Sequence, residues 1–533
     1  MKRFILSFLA AALIALAFIA PSSAATILHR GNMNEPDTLD PQKATGSWED
    51  NILGDLFLGL MTEDPKGEPI YGAAESHTVS TDGLVYTFVI RKGLVWSDGA
   101  PVIADDFVLG MRRLVDPVIA SQYASVFYPI KNAQAVNAST MPVAALGVRA
   151  IDDRTLAITL EHPTPYMLEL VMQRSTYSVP KHLIDRVGED WTKPGIMVTD
   201  GPYVLAEWAP NTYVKVVKNP LFFDAANVSI DEIIFYPTDD AEAALKRFRA
   251  GELDVNNGIA SQNLEFVRKD LPAETRIFTS ANTRYIVFNN ARAPFDDVRV
   301  RKALSMAIDR EALTEKVLRA GEVPAYSLVP PGTANYGGEA QLSFKGVPLA
   351  ERIAQAKDLL AQAGFGPDNP LAFNYNYIAD NDSRRIAVAL QDMWRQIGAV
   401  VALNLNEKKV HYNLSRVGDF AVAESNWIAD YNDGKTFLIQ VQPSSGELNE
   451  SRYASEVFEN LMDQADAAID LGARAKIMAE AEQVMLDDNA VAPLFYGVSR
   501  SLVRPYVEGW VDNLTNVHRA RYLRLNRPLA ATP

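Results

Sequence analysis

The 533-residue sequence contains no cysteine. Disulfide bonds, thiolate metal sites and cysteine nucleophiles are therefore excluded. Histidine is scarce as well, and none of the six histidines has a partner at the H-x-x-x-H spacing of a metal-binding helix. The sequence thus predicts neither a metal site nor a cofactor.

The common catalytic motifs are also missing. The chain has no G-x-S-x-G elbow, no G-x-x-x-x-G-K-[ST] loop and no G-x-G-x-x-G after a predicted strand. Adjacent carboxylates such as Asp105 and Asp106 do not face each other as a general acid and base would. A glycosidase needs only two distant carboxylates, so an exported hydrolase stays open. A binding protein without catalytic residues is favoured.

The first 24 residues have the parts of a signal peptide. Lys2 and Arg3 precede an apolar run over residues 4–20, and small residues at Ser22 and Ala24 predict cleavage after Ala24. An uncleaved anchor is the alternative, but the run is short for a membrane span. No cysteine follows the cleavage site to carry a lipid, so we expect an untethered protein in the periplasm.

Cleavage would leave 509 of the 533 residues, which is too long for one core and predicts two or three domains. Loss of Lys2 and Arg3 takes the formal charge from −15 to −17. Such an acidic chain is a poor partner for nucleic acid or anionic lipid.

Strands and helices alternate at short spacing between residues 285 and 428, which is typical of βαβ units. The chain is expected to enter a second lobe near residue 282 and to return near residue 497. A helix is predicted over residues 104–114, another over 51–60 and a buried strand over 419–425. Two lobes joined by a short hinge imply closure on a ligand.

The segment WIADYND at residues 427–433 follows the last of these strands. In open α/β sheets, ligands bind beyond the carboxyl ends of the strands. Asp430 is therefore a candidate counter-charge for the amino end of a ligand. The alternative is a turn residue or a helix cap, which is common for an aspartate in this position.

Several segments resemble the peptide/nickel/opine class of extracellular solute-binding proteins, and within it the oligopeptide-binding members. The segments are YTFVIRKG at 86–93, WSDG at 96–99, ADDF at 104–107, GEDWTKPG at 188–195, FDDVRVR at 295–301 and WIADYN at 427–432. They lie in order along essentially the whole mature chain.

The resemblance implies an α/β, bilobal periplasmic-binding-protein-like fold of type II with an extra inserted domain. The expected segments are residues 1–24 for the signal peptide, 25–57, 183–281 and 498–533 for lobe I, 58–182 for the inserted domain, and 282–497 for lobe II. A ligand peptide would lie extended between the lobes and pair its backbone with the protein.

The resemblance also implies roles for individual residues. Asp430 matches the acid that pairs with the ligand's ammonium group. The backbones of Asn426 and Ile428, and Ser47 on the opposite lobe, match positions that contact the ligand. Tyr123 and Trp427 match aromatic residues of the cleft, although core packing is the alternative for both.

Three cations of the oligopeptide-binding members are absent from this chain. By alignment they fall on Ser305, Ser383 and Glu424. The ligand's carboxyl end is therefore met by other groups or by water, or the ligand is unusual, for example blocked or cationic. Glu424 either faces the ligand or pairs with a neighbouring Arg or Lys.

Together with the export signal, the resemblance thus implies a monomeric receptor that binds small peptides and delivers them to an inner-membrane ABC permease. A receptor for a non-peptide or modified solute, such as an opine, a sugar or a cell-wall peptide, remains an alternative. An exported hydrolase is a further alternative.

Overall fold

The structure is a computed structural model that describes residues 25–527. The predicted signal peptide, residues 1–24, and the last six residues of the predicted lobe I lie outside the described residues. The strands are β1 Ile27–Gly31, β2 Met61–Glu63, β3 Pro69–Tyr71, β4 Ala74–Val79, β5 Val85–Ile90, β6 Val148–Asp152, β7 Thr155–Thr159, β8 Tyr203–Ala209, β9 Tyr213–Lys218, β10 Glu232–Tyr236, β11 Val255–Asn257, β12 Thr275–Phe288, β13 Val323–Pro324, β14 Ala372–Ile378, β15 Val400–Asn406, β16 Val422–Ile428, β17 Val491–Val503, β18 Val507–Glu508 and β19 Arg524–Leu525.

The α-helices alternate with these strands in the second half of the chain. They are α1 Ser47–Leu56, α2 Ala104–Val115, α3 Ala133–Asn137, α4 Met167–Leu170, α5 Lys181–Val187, α6 Ala241–Arg249, α7 Leu264–Asp270, α8 Val298–Met306, α9 Arg310–Ala312, α10 Leu349–Gln362, α11 Asn381–Arg395, α12 Lys408–Val417, α13 Lys435–Leu438, α14 Glu456–Ala467 and α15 Leu471–Asp487.

One mixed sheet runs through both predicted lobes, in the order β15-β14-β16-β12-β17-β11-β1-β10-β9-β8, and β13 also pairs with β17. The two longest strands, β12 and β17, lie antiparallel at its centre and pass from one lobe to the other. Their register is irregular between Thr279 and Thr283, close to the crossover predicted near residue 282. The lobes are thus joined by a continuous ladder rather than by loops alone.

Apolar side chains form two large cores. The buried residues of the second core all lie between Ala281 and Phe495. The first core combines residues of the predicted lobe I and inserted domain, from Leu28 to Leu523, and also takes in Tyr431. We propose that the chain has the predicted domains, because the limits of the second core, Ala281 and Phe495, are close to those predicted for lobe II.

The predicted inserted domain has its own four-stranded sheet, in the order β4-β5-β7-β6. Helix α2 packs beside it, as the sequence predicted for residues 104–114. The Asp106 carboxylate accepts hydrogen bonds from the Ile103 amide at 3.0 Å and from Trp96 Nε1 at 3.1 Å. Asp106, in the first turn of α2, therefore links the WSDG and ADDF segments by hydrogen bonds.

Two predicted elements are shifted. The strand predicted over residues 419–425 is β16, Val422–Ile428, because β12 continues as its partner as far as Asn282. Trp427 therefore lies in the strand and not in the turn after it. The helix predicted over residues 51–60 is α1, Ser47–Leu56, whose start is fixed by Glu49, which accepts from the Gly46 amide at 2.8 Å.

Between residues 25 and 527, no helix combines the length and the apolar character that a membrane crossing requires. The same part of the chain contains no cluster of three or more His, Asp or Glu side chains arranged to hold a metal ion.

Candidate ligand-binding cleft

Strand β16 has an open edge in its second half. It pairs with β12 along its whole length, from Val422 to Ile428. On its other side it pairs with β14 only at Val422 and Ala423. On that side the Glu424 carbonyl contacts His411 Nε2 at 2.9 Å, and the backbone beyond Glu424 is available for another extended chain.

The hydrogen-bonding phase of the ladder shows which residues point to this edge. The Ala429 amide donates to the Ala281 carbonyl at 2.8 Å, and the Asn289 amide donates to the Ala421 carbonyl at 3.0 Å. Since such pairs alternate in an antiparallel ladder, Asn426 and Ile428 direct their backbone groups away from β12. The sequence predicted these two residues as backbone partners of a ligand, and that role stays a prediction.

Asp430 lies two residues beyond the end of β16. Its amide donates to Thr436 Oγ1 at 3.3 Å. Burial raises the pKa of the Asp430 carboxyl to about 6, and the positive charge of Arg174 offsets part of that rise. Among the described side chains, none forms a hydrogen bond or an ion pair with this carboxylate. A half-buried carboxylate of this kind is suited to a cationic group from outside the chain.

The wall opposite Asp430 carries Tyr123. Its hydroxyl donates to the Thr45 carbonyl at 3.3 Å, and the guanidinium carbon of Arg174 lies 4.8 Å from the centre of its ring. Burial raises the pKa of the Tyr123 hydroxyl, and the charge of Asp430 contributes to that rise. The exposed Ser47 begins helix α1 two residues after Thr45. Tyr123 and Asp430 therefore lie near each other, and the contact of Ser47 with a ligand stays a prediction.

Trp427 supports the turn that carries Asp430. Its Nε1 donates to Thr436 Oγ1 at 3.1 Å, the same oxygen that accepts from the Asp430 amide. Its ring is half-buried against the second core. Because neighbouring side chains alternate along a strand, it points to the face opposite Asn426 and Ile428. Its ring thus packs partly against the core, and its role as an aromatic residue of the cleft stays a prediction.

Glu424 and Ser383 are both buried, and both meet Arg284. Glu424 Oε2 lies 3.8 Å from Arg284 Nη1, while Glu424 Oε1 accepts from the Ile378 amide at 2.6 Å. Arg284 Nη2 donates to Ser383 Oγ at 3.4 Å. Glu424 therefore has the local arginine partner that the sequence offered as the alternative to ligand contact.

Ser305 lies apart from the other candidate residues. It is fully buried in helix α8, where its hydroxyl accepts from Arg310 Nη2 at 3.2 Å and its carbonyl accepts from Arg310 Nη1 at 3.1 Å. The structure therefore does not bring Ser305 to the cleft.

A cavity of about 200 Å³ lies over the face of the sheet that carries Arg284 and Asn426. It is lined by the polar residues Asn282, Arg284, Glu322, Asp382, Asn426 and Arg500, and by apolar residues that include Leu318, Ile386, Phe495 and Val498. A larger cavity of about 680 Å³ lies at the opposite end of β16, near Phe420. Only the smaller cavity contains residues of the candidate site.

Sequence reasoning missed Arg284 and Arg174. Arg284 is the one charged residue directly before the buried run at residues 285–288, and that isolated charge was the available signal. No local pattern marks Arg174. Its guanidinium lies over the ring of Tyr123 and forms an ion pair with Asp50, and both contacts depend on the fold.

Comparison with known proteins shows that this chain is similar to solute-binding proteins. Residues 68–449 match the model for bacterial extracellular solute-binding proteins, family 5 Middle. The periplasmic oligopeptide-binding protein OppA of Escherichia coli (strain K12) is 37% identical over 497 residues, which cover 92% of this chain and 91% of that protein. The probable deoxycholate-binding periplasmic protein YgiS of the same strain is 35% identical, with coverages of 92% and 91%.

A solved structure gives the same result in three dimensions. The structure of Haemophilus influenzae OppA in complex with RPPGFSPFR matches with a TM-score of 0.80 and 32% identity, over 95% of this chain and 100% of that one. The agreement extends over both lobes and confirms the predicted bilobal α/β fold.

Proposed function

The chain belongs to family 5 of the bacterial extracellular solute-binding proteins, and from that premise we propose that it is a periplasmic peptide receptor of an ABC importer. In this proposal the exported protein, acting as a monomer, binds a short extended peptide between its lobes and presents it to the permease. It binds without turnover, in keeping with relatives whose names describe binding.

One observation carries the proposal: the open edge of β16 leads directly to the unpaired carboxylate of Asp430. A peptide strand added along this edge would bond with the backbones of Asn426 and Ile428. Its ammonium group would then meet Asp430. Backbone groups and a free amino end are common to all linear peptides, so this arrangement supports binding with little sequence selectivity.

The names of the relatives support the same class of ligand. The E. coli relative is called an oligopeptide-binding protein, and the H. influenzae structure contains the peptide RPPGFSPFR.

The test is calorimetric titration of the mature protein with a tetra-alanine peptide and with its N-acetylated form. We expect the free peptide to bind and acetylation to remove most of the affinity. In Asp430→Asn the free peptide should lose about 2–5 kcal/mol of binding free energy, as when one partner of a buried charge pair is removed. Asp368→Asn, on an exposed loop of the same lobe, serves as the matched control. Equal binding of both peptides to the wild type would refute the role of Asp430.

A second experiment identifies the natural ligand. Mass spectrometry of small molecules that co-purify with the exported protein, released by denaturation, should show a set of short peptides. A single non-peptide species would instead establish a receptor for one solute.

A receptor for an amphipathic carboxylate is the second candidate. The cavity beside β16 combines Arg284 with Leu318, Ile386 and Phe495, and one relative is named as probably deoxycholate-binding. Deoxycholate has no ammonium group, so its binding would be indifferent to Asp430→Asn. That insensitivity distinguishes the two candidates in the same titration.

A further inference from the structure

We propose that Arg284 is the residue that receives the free carboxylate of the bound solute, at the end of the cleft away from Asp430, and that Glu424 holds it in position. The proposal rests on the proposed function, since it assumes a ligand seated along β16. It assigns a cation to the ligand's carboxyl end, where Ser305, Ser383 and Glu424 supply none.

The guanidinium of Arg284 reaches over β16 to its open edge. Arg284 lies on β12 directly opposite Asn426, so their side chains share one face of the sheet. Ser383, which Arg284 contacts, is near the start of α11, the helix that follows β14. Glu424, the other contact, is bonded to Ile378 at the end of β14. The charged group therefore lies over the gap where β14 and β16 separate.

The donors of Arg284 are largely unused. A guanidinium has five N–H donors, and between residues 25 and 527 Arg284 makes one side-chain hydrogen bond, the 3.4 Å contact with Ser383. The contact with Glu424 at 3.8 Å is an ion pair without a hydrogen bond. The side chain is only 16% exposed, and Arg284 is one of the residues that line the cavity of about 200 Å³. A carboxylate that enters this cavity would accept two parallel N–H hydrogen bonds from the guanidinium, in a partly desolvated environment.

The other charged groups of the cavity already have partners. Arg500 donates to Ser261 Oγ at 2.7 Å and lies 3.7 Å from Glu322. Asp382 pairs with Arg385 at 2.6 Å. Arg284 is therefore the cavity cation that is best placed to bind an anion.

Glu424 is a positioning residue in this scheme. Oε1 is fixed by the Ile378 amide, and Oε2 is buried without a hydrogen-bond partner, so its charge acts on Arg284 by attraction alone. The same negative charge repels an incoming carboxylate. Glu424 thus orients the guanidinium and limits the affinity for anionic ends at the same time.

The layout also sets a ligand length. At roughly 3.3 Å per residue, the chain could separate Asp430 by at most roughly 13 Å from Asn426 and roughly 20 Å from Glu424, since the strand ends at Ile428. Peptides of about four to six residues would span from Asp430 to Arg284.

The experiment is calorimetric titration of the mature protein with an apolar pentapeptide and with its C-terminal amide. The wild type should bind the free acid at least about tenfold more tightly than the amide. Arg284→Gln should reduce this ratio to near one with little effect on the amide. Glu424→Gln should raise affinity for the acid several-fold and leave the amide unchanged. Arg276→Gln, at an arginine on β12 that does not line the cavity, should keep the wild-type ratio.

A wild-type ratio retained in Arg284→Gln would overturn the proposal. If that variant does not fold, Arg284→Lys is used instead. It keeps the positive charge but lacks the two parallel N–H donors of the guanidinium. An intermediate ratio there supports the proposal, and an unchanged one overturns it.

Failure of the peptide function gives a different pattern, in which the wild type binds neither pentapeptide. Deoxycholate and its methyl ester then replace the peptides. A preference for the acid that disappears in Arg284→Gln supports Arg284 while rejecting the peptide receptor. Binding of neither pair rejects both.

Discussion

The rings of Tyr166 and Tyr431 stack on each other, with centroids 5.1 Å apart and an angle of 6° between their planes. Tyr166 belongs to the predicted inserted domain, and Tyr431 follows Asp430 in lobe II. The guanidinium carbon of Arg474 lies 4.9 Å from the centre of the Tyr166 ring. The two sides of the cleft are thus in contact directly beside the candidate ammonium site.

We expect this stack to stabilise the closed arrangement. A double-mutant cycle with Tyr166→Ala and Tyr431→Ala should give a coupling of about 0.5–1.5 kcal/mol in the free energy of peptide binding. Small-angle X-ray scattering should show a larger radius of gyration for the unliganded single variants. Tyr166→Phe keeps the ring and should behave like the wild type, and a coupling near zero would show that the stack does not assist closure.

The affinity for peptides with a free amino end should fall in acid. Burial raises the pKa of Asp430 to about 6 in the unliganded protein, and an ammonium group binds its ionised form. Below about pH 6 the peptide must displace a proton, so affinity should fall by up to about tenfold per pH unit. Titrations between pH 7.5 and 4.5 measure this slope, and Asp430→Asn should lack it. A slope of equal size in the variant would assign the effect to another group.

Removal of Arg474 should destabilise the fold strongly. Arg474 and Asp433 form a fully buried pair with two hydrogen bonds of 2.7 and 2.8 Å. Arg474→Ala leaves the Asp433 charge unpaired and should cost about 3–5 kcal/mol of unfolding free energy, measured by urea denaturation. Arg395→Ala, which breaks an exposed pair with Asp392, should cost about 1 kcal/mol or less. Equal losses in the two variants would contradict this reasoning.

Ser305→Ala should lower stability without changing peptide affinity. The substitution removes the hydroxyl that accepts from the buried Arg310, a charge-assisted hydrogen bond worth about 1.5–3 kcal/mol. Thermal unfolding and calorimetric titration of the same preparation separate the two effects. Weaker binding at unchanged stability would instead place Ser305 in contact with the ligand.

Local patterns in the sequence predicted individual strands and helices, whereas the bilobal fold with an inserted domain was implied by the family resemblance. The start of the helix at Asp106 is partly fixed by the nearby Ile103 amide and Trp96 Nε1, so its pattern is visible in the chain. The same segment also bonds to Lys181 and Thr199, which no local pattern contains. The alternation of strands and helices likewise indicated lobe II.

The candidate site was predicted only in part. Arg284 reaches Glu424 because strands 140 residues apart in sequence pair in one register, and no local pattern contains that register. Ser305 illustrates the opposite error. It lies one turn after Arg301 on the same face of α8, and both side chains are buried, although the resemblance implied a place near the ligand.

The central place of β17 has a consequence for the order in which the molecule is completed. This strand lies between β12 and β11, yet it is among the last elements of the chain. Until residues 491–503 have been synthesised, β11 and β12 are two unprotected sheet edges with nothing between them, and such edges favour pairing with other chains. A nascent chain that stops before Val491 therefore keeps both of these edges open, although the four-stranded sheet of the inserted domain is already complete.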